Sequence, residues 1–171
     1  MRIFPAPHPA TLPEEGLLRG CDERRGKTHG PGGQHKNKTE TQVFLLHRDT
    51  STVGQAGEER SLAENRKRAI FRLRLRLAID VRTAPSETPS PLWRGRVRPA
   101  GRIVVNPEHT DYPALLAEAF DVLAAVAWDP RAGAEWLGVT QSQLIKLVKD
   151  HPAALVRWNE ERDLAGLHPL R

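Results

Sequence analysis

The stretch from Ser61 to Ala84 contains neither glycine nor proline, and this run constrains the fold more than any other feature of the chain. It opens with SLAE at 61–64, a capping-box pattern in which a serine caps a helix and a glutamate three residues later reaches back. The segment FRLRLRL at 71–77 alternates with period two, which is typical of a strand. The capping box and the helix-forming arginines and leucines instead favour one long helix from Ser61 to about Val81.

The rest of the chain divides into short elements around this helix. On the N-terminal side the patterns predict a helix from Thr11 to Leu18, and strands over Cys21–Lys27 and Thr41–His47. A turn over Asp49–Gly54 leads to a short return strand. Beyond it we expect a linker over Thr83–Pro91 and a basic strand or extended arm over Trp93–Val105. Helices are predicted over Ala114–Ala127, Pro130–Leu137, Gln141–Asp150 and Pro152–Ala165.

Together these elements predict an α+β fold, with a small β-sheet packed by a long helix and an all-α C-terminal module. We expect a domain over 1–82, a linker and basic arm over 83–105, and a helical module over 106–171. Ala69, Leu73 and Leu77 share the helix face that is expected to pack on the sheet. Arg68, Arg72 and Arg76 recur every four residues and form a basic stripe on a neighbouring face.

The charge of the chain is unevenly distributed. Residues 21–105 carry a net charge of +9, whereas residues 106–171 carry −4. A basic body indicates a nucleic-acid partner, and an ordinary solvated basic surface is the alternative. The single cysteine, Cys21, excludes an internal disulfide and fits a reducing compartment such as the cytoplasm. The first sixteen residues lack an apolar core and contain two glutamates, so we expect neither a secretory leader nor a transit peptide, and no membrane span.

The segment GPGGQHKNKT at 30–39 is the candidate for the chemical function of the chain. Its glycines and proline exclude regular secondary structure. Gly32 and Gly33 allow backbone conformations or close approaches that a Cβ atom would prevent. Gln34 then supplies a backbone N–H, and a fixed N–H aimed at a developing oxyanion stabilises transition states of acyl transfer. A flexible surface loop is the structural alternative.

These residues resemble the catalytic domain of class I peptide chain release factors and their stand-alone relatives. The resemblance covers residues 11–80 and rests on GPGGQH, the following Asn37-Lys38-Thr39, Arg60-Ser61 with Asn65, and the arginine-rich helix. It implies hydrolysis of the ester that joins a peptide to the 3′ end of tRNA, with water as nucleophile. By the same resemblance, Gly32, Gly33 and Gln34 are catalytic. The Gln34 N–H serves the transition state or the leaving 3′ oxygen, and its side chain admits and orients water.

The implied partners are the ribosome, at the large-subunit rRNA of the peptidyl transferase centre, and the P-site peptidyl-tRNA. The chain has no room for the domains that read stop codons, so it resembles the stand-alone proteins that free stalled ribosomes without a codon. Basic and polar side chains around the loop and on the helix are the candidates for contacting RNA phosphates. They are Lys27, His35, Lys36, Asn37, Lys38, Thr39, Arg60, Arg68, Arg72 and Arg76. We expect Ser61 and Asn65 to brace the helix start rather than to touch RNA.

The segment AEWLGVTQSQL at 134–144 resembles a helix-turn-helix core. Ala134 allows two helices to cross closely, Gly138 permits the turn, and Thr140 is able to cap the second helix. Leu137, Val139, Leu144 and Leu147 are the expected apolar contacts, and Gln141, Ser142, Gln143 and Lys146 are polar enough to reach bases. Because the segment is acidic, packing or docking of a protein partner ranks ahead of RNA contact, and DNA reading ranks last.

Two further expectations concern ligands and the rival function. Cys21, His29, His35 and His47 lack paired ligand spacing, so we expect no metal site and no cofactor. The alternative function is a non-catalytic regulatory protein that binds the ribosome or a nucleic acid through the helix-turn-helix module. The intact GPGGQ argues against a loss of activity.

Overall fold

A computed structural model of the chain describes residues 3–26 and 41–170. Its architecture is mixed α+β, as predicted. Two compact units are present: a sheet unit, Pro9–Leu77, and a helical unit, Met1–His8 with Ala78–Arg171. The described elements in chain order are β1 (Ile3–Phe4), α1 (Glu14–Arg19), β2 (Cys21–Gly26), β3 (Gln42–His47), β4 (Thr52–Ala56), α2 (Leu62–Asp80), β5 (Arg82–Thr83), α3 (Pro91–Arg96), β6 (Val97–Arg98), β7 (Arg102–Ile103), α4 (Tyr112–Ala125), α5 (Pro130–Leu137), α6 (Gln141–Lys149) and α7 (Pro152–Leu164).

The sheet unit is built on an antiparallel sheet in the order β2-β3-β4. Cys21 pairs with His47 at one end of the β2–β3 ladder, and Gly26 pairs with Gln42 at the other. Val43 and Leu45 of β3 are fully buried, while the charged edge strand β2 is largely exposed. The sequence therefore predicted the strands correctly within a residue or two, although Gly54 lies inside β4 rather than in the turn before it.

Helix α2 packs on this sheet. Ala69, Leu73 and Leu77 are completely buried, which confirms the predicted packing face. The backbone amide of Glu64 donates to Ser61 Oγ at 3.3 Å, so Ser61 caps the helix as expected. Leu75, half a turn away from Leu73 and Leu77, is buried as well. A helix buried on more than one side produces the strand-like alternation of residues 71–77.

The first helix does not begin as the sequence predicted. Residues Pro9–Thr11 form a 3₁₀ turn, and α1 starts at Glu14, directly after Pro13. The N-cap position of α1 is Pro13, which makes no side-chain cap hydrogen bond. Proline fixes the backbone at Pro13 and starts the helix without a hydrogen-bonding cap.

The helical unit contains α4 to α7, whose bounds agree with the predicted helices to within two residues. The segment from Trp93 onward was expected to be a strand or an extended arm. Instead, Pro91–Arg96 forms helix α3, capped by Ser90 Oγ, and only the residues after it form the short antiparallel pair β6–β7. Trp93 is fully buried, and its Nε1 donates to the carbonyl of Leu137 at 2.8 Å. No local sequence pattern predicts a hydrogen bond between two residues that are 44 positions apart.

The α5–α6 connection has the predicted local geometry. Gly138 adopts the left-handed conformation, with φ of 66°. The Thr140 side chain accepts from the amide of Gln143 at the start of α6. The expected apolar contacts, Leu137, Val139, Leu144 and Leu147, are all buried. This pair of helices is therefore held by a turn, a cap and an apolar core.

Strand β5 is fixed to α4 by a buried polar cluster. Asp121 accepts hydrogen bonds from the amide and the hydroxyl of Thr83, and its Oδ1 lies 3.6 Å from Arg82 Nη1. The Arg82 guanidinium also donates to the carbonyl of Ala78 at 2.9 Å and lies 4.8 Å from the ring centre of Phe120. The buried positive charge of Arg82 and the buried negative charge of Asp121 are thus paired and hydrogen-bonded, as burial of a charge requires. Among the residues described, no helix has the length and apolar character needed to cross a bilayer.

Candidate functional site: the frame of the 27–40 segment

The segment that carries GPGGQ follows β2 in the sequence and precedes β3. Gly26 and Gln42 are direct cross-strand partners, so the residues on either side of the segment are neighbours in the sheet. Directly opposite residues of an antiparallel pair have Cα atoms about 5 Å apart. The sheet therefore holds the residues that flank the segment close together.

Asn65 of α2 is the centre of this frame. It is completely buried, and its Nδ2 donates to the carbonyl of Thr41 at 2.7 Å and to that of Glu59 at 2.8 Å. Its Oδ1 accepts from the amide of Glu59 at 2.9 Å. One amide side chain thus satisfies three backbone groups in two connections that lie far apart in sequence. We call Gly26, Thr41, Gln42, Glu59 and Asn65 the loop frame.

Asn65 braces the start of α2, as predicted, through its two hydrogen bonds to Glu59. The sequence did not predict that its partner would be Thr41, the residue at which the chain returns from the candidate catalytic segment. The catalytic candidates and most RNA-binding candidates lie in 27–40, outside the described residues. They are Lys27, Gly32, Gly33, Gln34, His35, Lys36, Asn37, Lys38 and Thr39.

The remaining candidates, Arg60 and the α2 stripe, belong to the sheet unit. Arg60 is exposed in the connection between β4 and α2. The stripe residues share one helix face, as predicted, but each is tied back to the protein. Arg68 Nη2 lies 2.8 Å from Glu59 Oε1. Arg72 pairs with Glu58 and donates to the carbonyl of Gln55, and Arg76 donates to the carbonyl of Val53 at 2.9 Å.

Glu58 is the acidic counterpart of the stripe. Its Oε2 accepts from the backbone N–H of Gly57 at 2.8 Å, and this bond, followed by the bond from Arg72, lowers the pKa of Glu58 to about 2. The carboxylate therefore stays charged through the physiological range. Arg68 and Arg72 remain about half exposed, with side-chain exposures of 52% and 46%. The stripe thus has a structural role in holding α2 to β4 while leaving part of each guanidinium open to a phosphate.

Sequence reasoning missed one ionic link on the other side of α2. Arg66 Nε lies 3.0 Å from Glu23 Oε2 of β2, and its Nη1 lies 3.2 Å from Glu14 Oε1 of α1. One guanidinium therefore joins three elements of the sheet unit. All three residues look like ordinary surface charges in the sequence, and no spacing rule connects them.

Comparison with known proteins bears on this site. Residues 22–94 match the family described as the RF-1 domain, a range that contains all of β2 except Cys21, the 27–40 segment, the loop frame and α2. The release factor 1 of Symbiobacterium thermophilum is 47% identical over 49 residues, covering 29% of this chain and 14% of that protein. The release factor 1 of Caldicellulosiruptor bescii is 50% identical over 48 residues, covering 28% of this chain and 14% of that protein.

The match to a yeast protein covers a larger share of both chains. An uncharacterized mitochondrial protein of Saccharomyces cerevisiae, described as peptide chain release factor-like, is 44% identical over 81 residues. The match covers 47% of this chain and 51% of the yeast protein. This chain therefore spans about one seventh of the release factors it matches and about half of the yeast relative. No solved structure gives a significant match.

Proposed function

We propose that this chain hydrolyses the ester of peptidyl-tRNA on the ribosome, a proposal supported by the match of residues 22–94 to the RF-1 domain family. The observation that carries the proposal is the position of GPGGQ inside that domain, in a segment whose return point, Thr41, is hydrogen-bonded to the buried Asn65. The comparisons do not favour the regulatory alternative.

In the proposed reaction, the oxygen of a water molecule attacks the carbonyl carbon of the peptidyl ester. The bond to the tRNA 3′ oxygen breaks, the peptide leaves as a carboxylic acid, and a proton restores the 3′ hydroxyl. The Gln34 backbone N–H stabilises charge on the transition state or the leaving 3′ oxygen. Gly32 and Gly33 allow the close backbone approach, and the Gln34 side chain orients the water.

The loop frame supports this mechanism because catalysis by a backbone N–H depends on position. A misplacement of about 1 Å costs roughly 10²-fold in rate when a group must be preorganised. Asn65 and the Gly26–Gln42 pair hold the residues that flank the segment.

Rescue of stalled ribosomes without reading a codon is the finer form of the proposal. It rests on the resemblance of GPGGQ, and of the residues that follow it, to the stand-alone relatives of release factors. The proposed partners are large-subunit rRNA and the P-site peptidyl-tRNA, reached through the basic residues named above, with the cytoplasm as the proposed compartment. The division into 1–82, 83–105 and 106–171 and the role of each site residue remain proposals.

The test is peptide release from purified ribosomes that hold peptidyl-tRNA over a truncated message, a sense codon or a stop codon. We expect release on the truncated message and no dependence on the stop codon. Gly33→Ala is expected to lower the release rate by about 10²-fold or more, as displacement of an oxyanion donor does. Gly16→Ala is the matched control, because its added methyl group would meet nothing closer than 3.8 Å.

Different results would overturn the hydrolase assignment and the rescue assignment. Release at the wild-type rate by Gly33→Ala overturns the catalytic assignment. Release only on stop codons overturns the rescue assignment and leaves the hydrolase intact. Ribosome binding without release on any message favours the regulatory alternative.

A further inference from the structure

The pair β6–β7 of the helical unit presents arginines in an unusual arrangement. Arg98 and Arg102 are direct cross-strand partners, and both side chains are exposed. On the other face of the same pair, Ile103 is buried. Side chains of a strand alternate between its two faces, so Ile103 is buried, Val97 is partly buried, and both arginines are turned to solvent.

Two like charges directly opposite each other destabilise a β pair. The sequence does nothing to offset them locally, because residues 88–107 contain four arginines and no acidic residue. Of the four, Arg96 pairs with Asp111, whereas no ion pair in the described part of the chain involves Arg94, Arg98 or Arg102. Arg98 Nη1 donates to the carbonyl of Gly95 at 3.0 Å, which leaves its charge without an acidic partner in the described residues. A charge arrangement that opposes folding and has no carboxylate beside it indicates an external anion.

The pair is held at a fixed place on the helical unit. The carbonyl of Gly101 accepts from the amide of Thr140 at 2.9 Å, next to the start of α6. Gly101 has φ of +66°, and a Cβ added there would lie 3.0 Å from that same amide. The exposed Gln141 and Ser142 follow directly in α6. The two arginines are therefore anchored beside a polar helix start.

The net charge of −4 over residues 106–171 indicated a poor surface for nucleic acid, but most of these acidic groups serve the fold. They bond to other parts of the helical unit: Asp111 to Arg96, Glu118 to Ser90, Asp121 to Thr83, Asp129 to the start of α5, Asp150 to Lys146, and Glu160 and Glu161 to Arg157. The local charge at β6–β7, rather than the sum over the segment, decides what this face attracts.

We propose that Arg98 and Arg102, with the exposed start of α6, form a second RNA-binding surface that contacts the phosphodiester backbone of folded RNA. The guanidinium group matches phosphate geometry with two parallel N–H donors, and such contacts bind without reading sequence. The surface goes beyond the proposed hydrolase, and only the choice of RNA over DNA rests on that function. It would add a contact separate from the 27–40 segment.

The test uses the full chain and a fluorescent RNA hairpin of 20 base pairs, with affinity measured between 50 and 300 mM salt. Arg98→Gln with Arg102→Gln is expected to weaken binding about tenfold or more at 0.1 M salt, and to lower the slope of log affinity against log salt by about 2. Arg98→Lys with Arg102→Lys keeps both charges and is expected to keep the salt slope, with part of the affinity lost because an ammonium group does not make two parallel hydrogen bonds. Thermal unfolding of the glutamine variant is expected to be unchanged or improved, since the cross-strand repulsion is gone.

Weaker binding with unchanged or higher stability supports the surface, because misfolding does not produce that combination. An unchanged salt slope in the glutamine variant, or a slope that falls as far in the lysine variant as in the glutamine variant, overturns it. Tighter binding of a DNA hairpin of the same sequence overturns the assignment to RNA. Peptide release by the wild-type chain is scored separately, so failure of the hydrolase proposal and failure of this surface are distinguished.

Discussion

Gly54 of β4 lies so close to Leu73 of α2 that a Cβ added to the glycine would sit 2.5 Å from the Leu73 Cβ. The same methyl group would lie 2.4 Å from the carbonyl oxygen of Ala69, so the helix backbone itself blocks it. The absence of a side chain at Gly54 therefore sets how closely α2 approaches the sheet, and with it the position of Asn65 on the same helix.

Gly54→Ala is expected to destabilise the chain by at least 1–3 kcal/mol, because backbone atoms cannot move aside as a flexible side chain does. Chemical denaturation measures the change. Gly16→Ala, in α1 of the same unit, is the control and is expected to be neutral or slightly stabilising. Equal stability of the two variants would contradict the close approach.

Asn65→Ala is expected to cost about 3 kcal/mol, since it leaves two carbonyls and one amide without their partner in a buried place. It is also expected to slow peptide release at a temperature where the variant remains folded, because Thr41 loses its anchor. Ser61→Ala removes the helix cap alone and is expected to cost about 1 kcal/mol without slowing release. Parallel losses in both variants would show that stability, rather than the loop frame, sets the rate.

The glutamine variant of the stripe, with Arg68, Arg72 and Arg76 all replaced, is expected to weaken ribosome binding. The slope of log affinity against log salt should fall by less than the loss of three phosphate contacts predicts, because Glu58 and Glu59 already neutralise part of the charge of the arginines. Glu58→Gln removes the internal partner, leaves the arginines in place, and is expected to strengthen binding. If neither variant changes the slope, the stripe does not face RNA.

His8 makes the stability of the chain sensitive to mild acid. Burial lowers the pKa of His8 to about 4, against 6.5 in an unfolded chain, although its Nε2 bonds to the carbonyl of Val81 at 3.1 Å. The unfolded state therefore binds the proton more readily, so the contribution of His8 is complete above pH 6.5 and is lost as the pH falls towards 4. Burial also lowers the pKa of His47 and His151, in the same direction.

Denaturation midpoints measured from pH 8 to pH 4 check this, with His8→Gln expected to give a shallower decline than the wild type. Repetition in 0.5 M salt separates burial from surface charge, because screening weakens exposed ion pairs and hardly affects a buried imidazole. An equally steep decline in the variant would remove His8 as the cause.

The sequence by itself determined the features that depend on neighbouring residues. The capping box at Ser61, the turn at Gly138 and the cap at Thr140 each act within four residues, so their patterns predicted the start of α2 and the α5–α6 connection. The catalytic hypothesis also came from a local pattern, the glycines before Gln34, and from the resemblance that those residues carry.

Only the tertiary structure decided which distant groups meet. Trp93 bonds to the Leu137 carbonyl, Asn65 joins Thr41 to Glu59, and Arg98 stands opposite Arg102 although its neighbours predicted an extended arm. Each of these contacts depends on the packing of two elements, and no residue spacing encodes it. The period-two run at 71–77 also could not be interpreted from the sequence alone. Alternation indicates only that the leucines are buried, and a helix that is buried on several sides gives the same pattern as a strand.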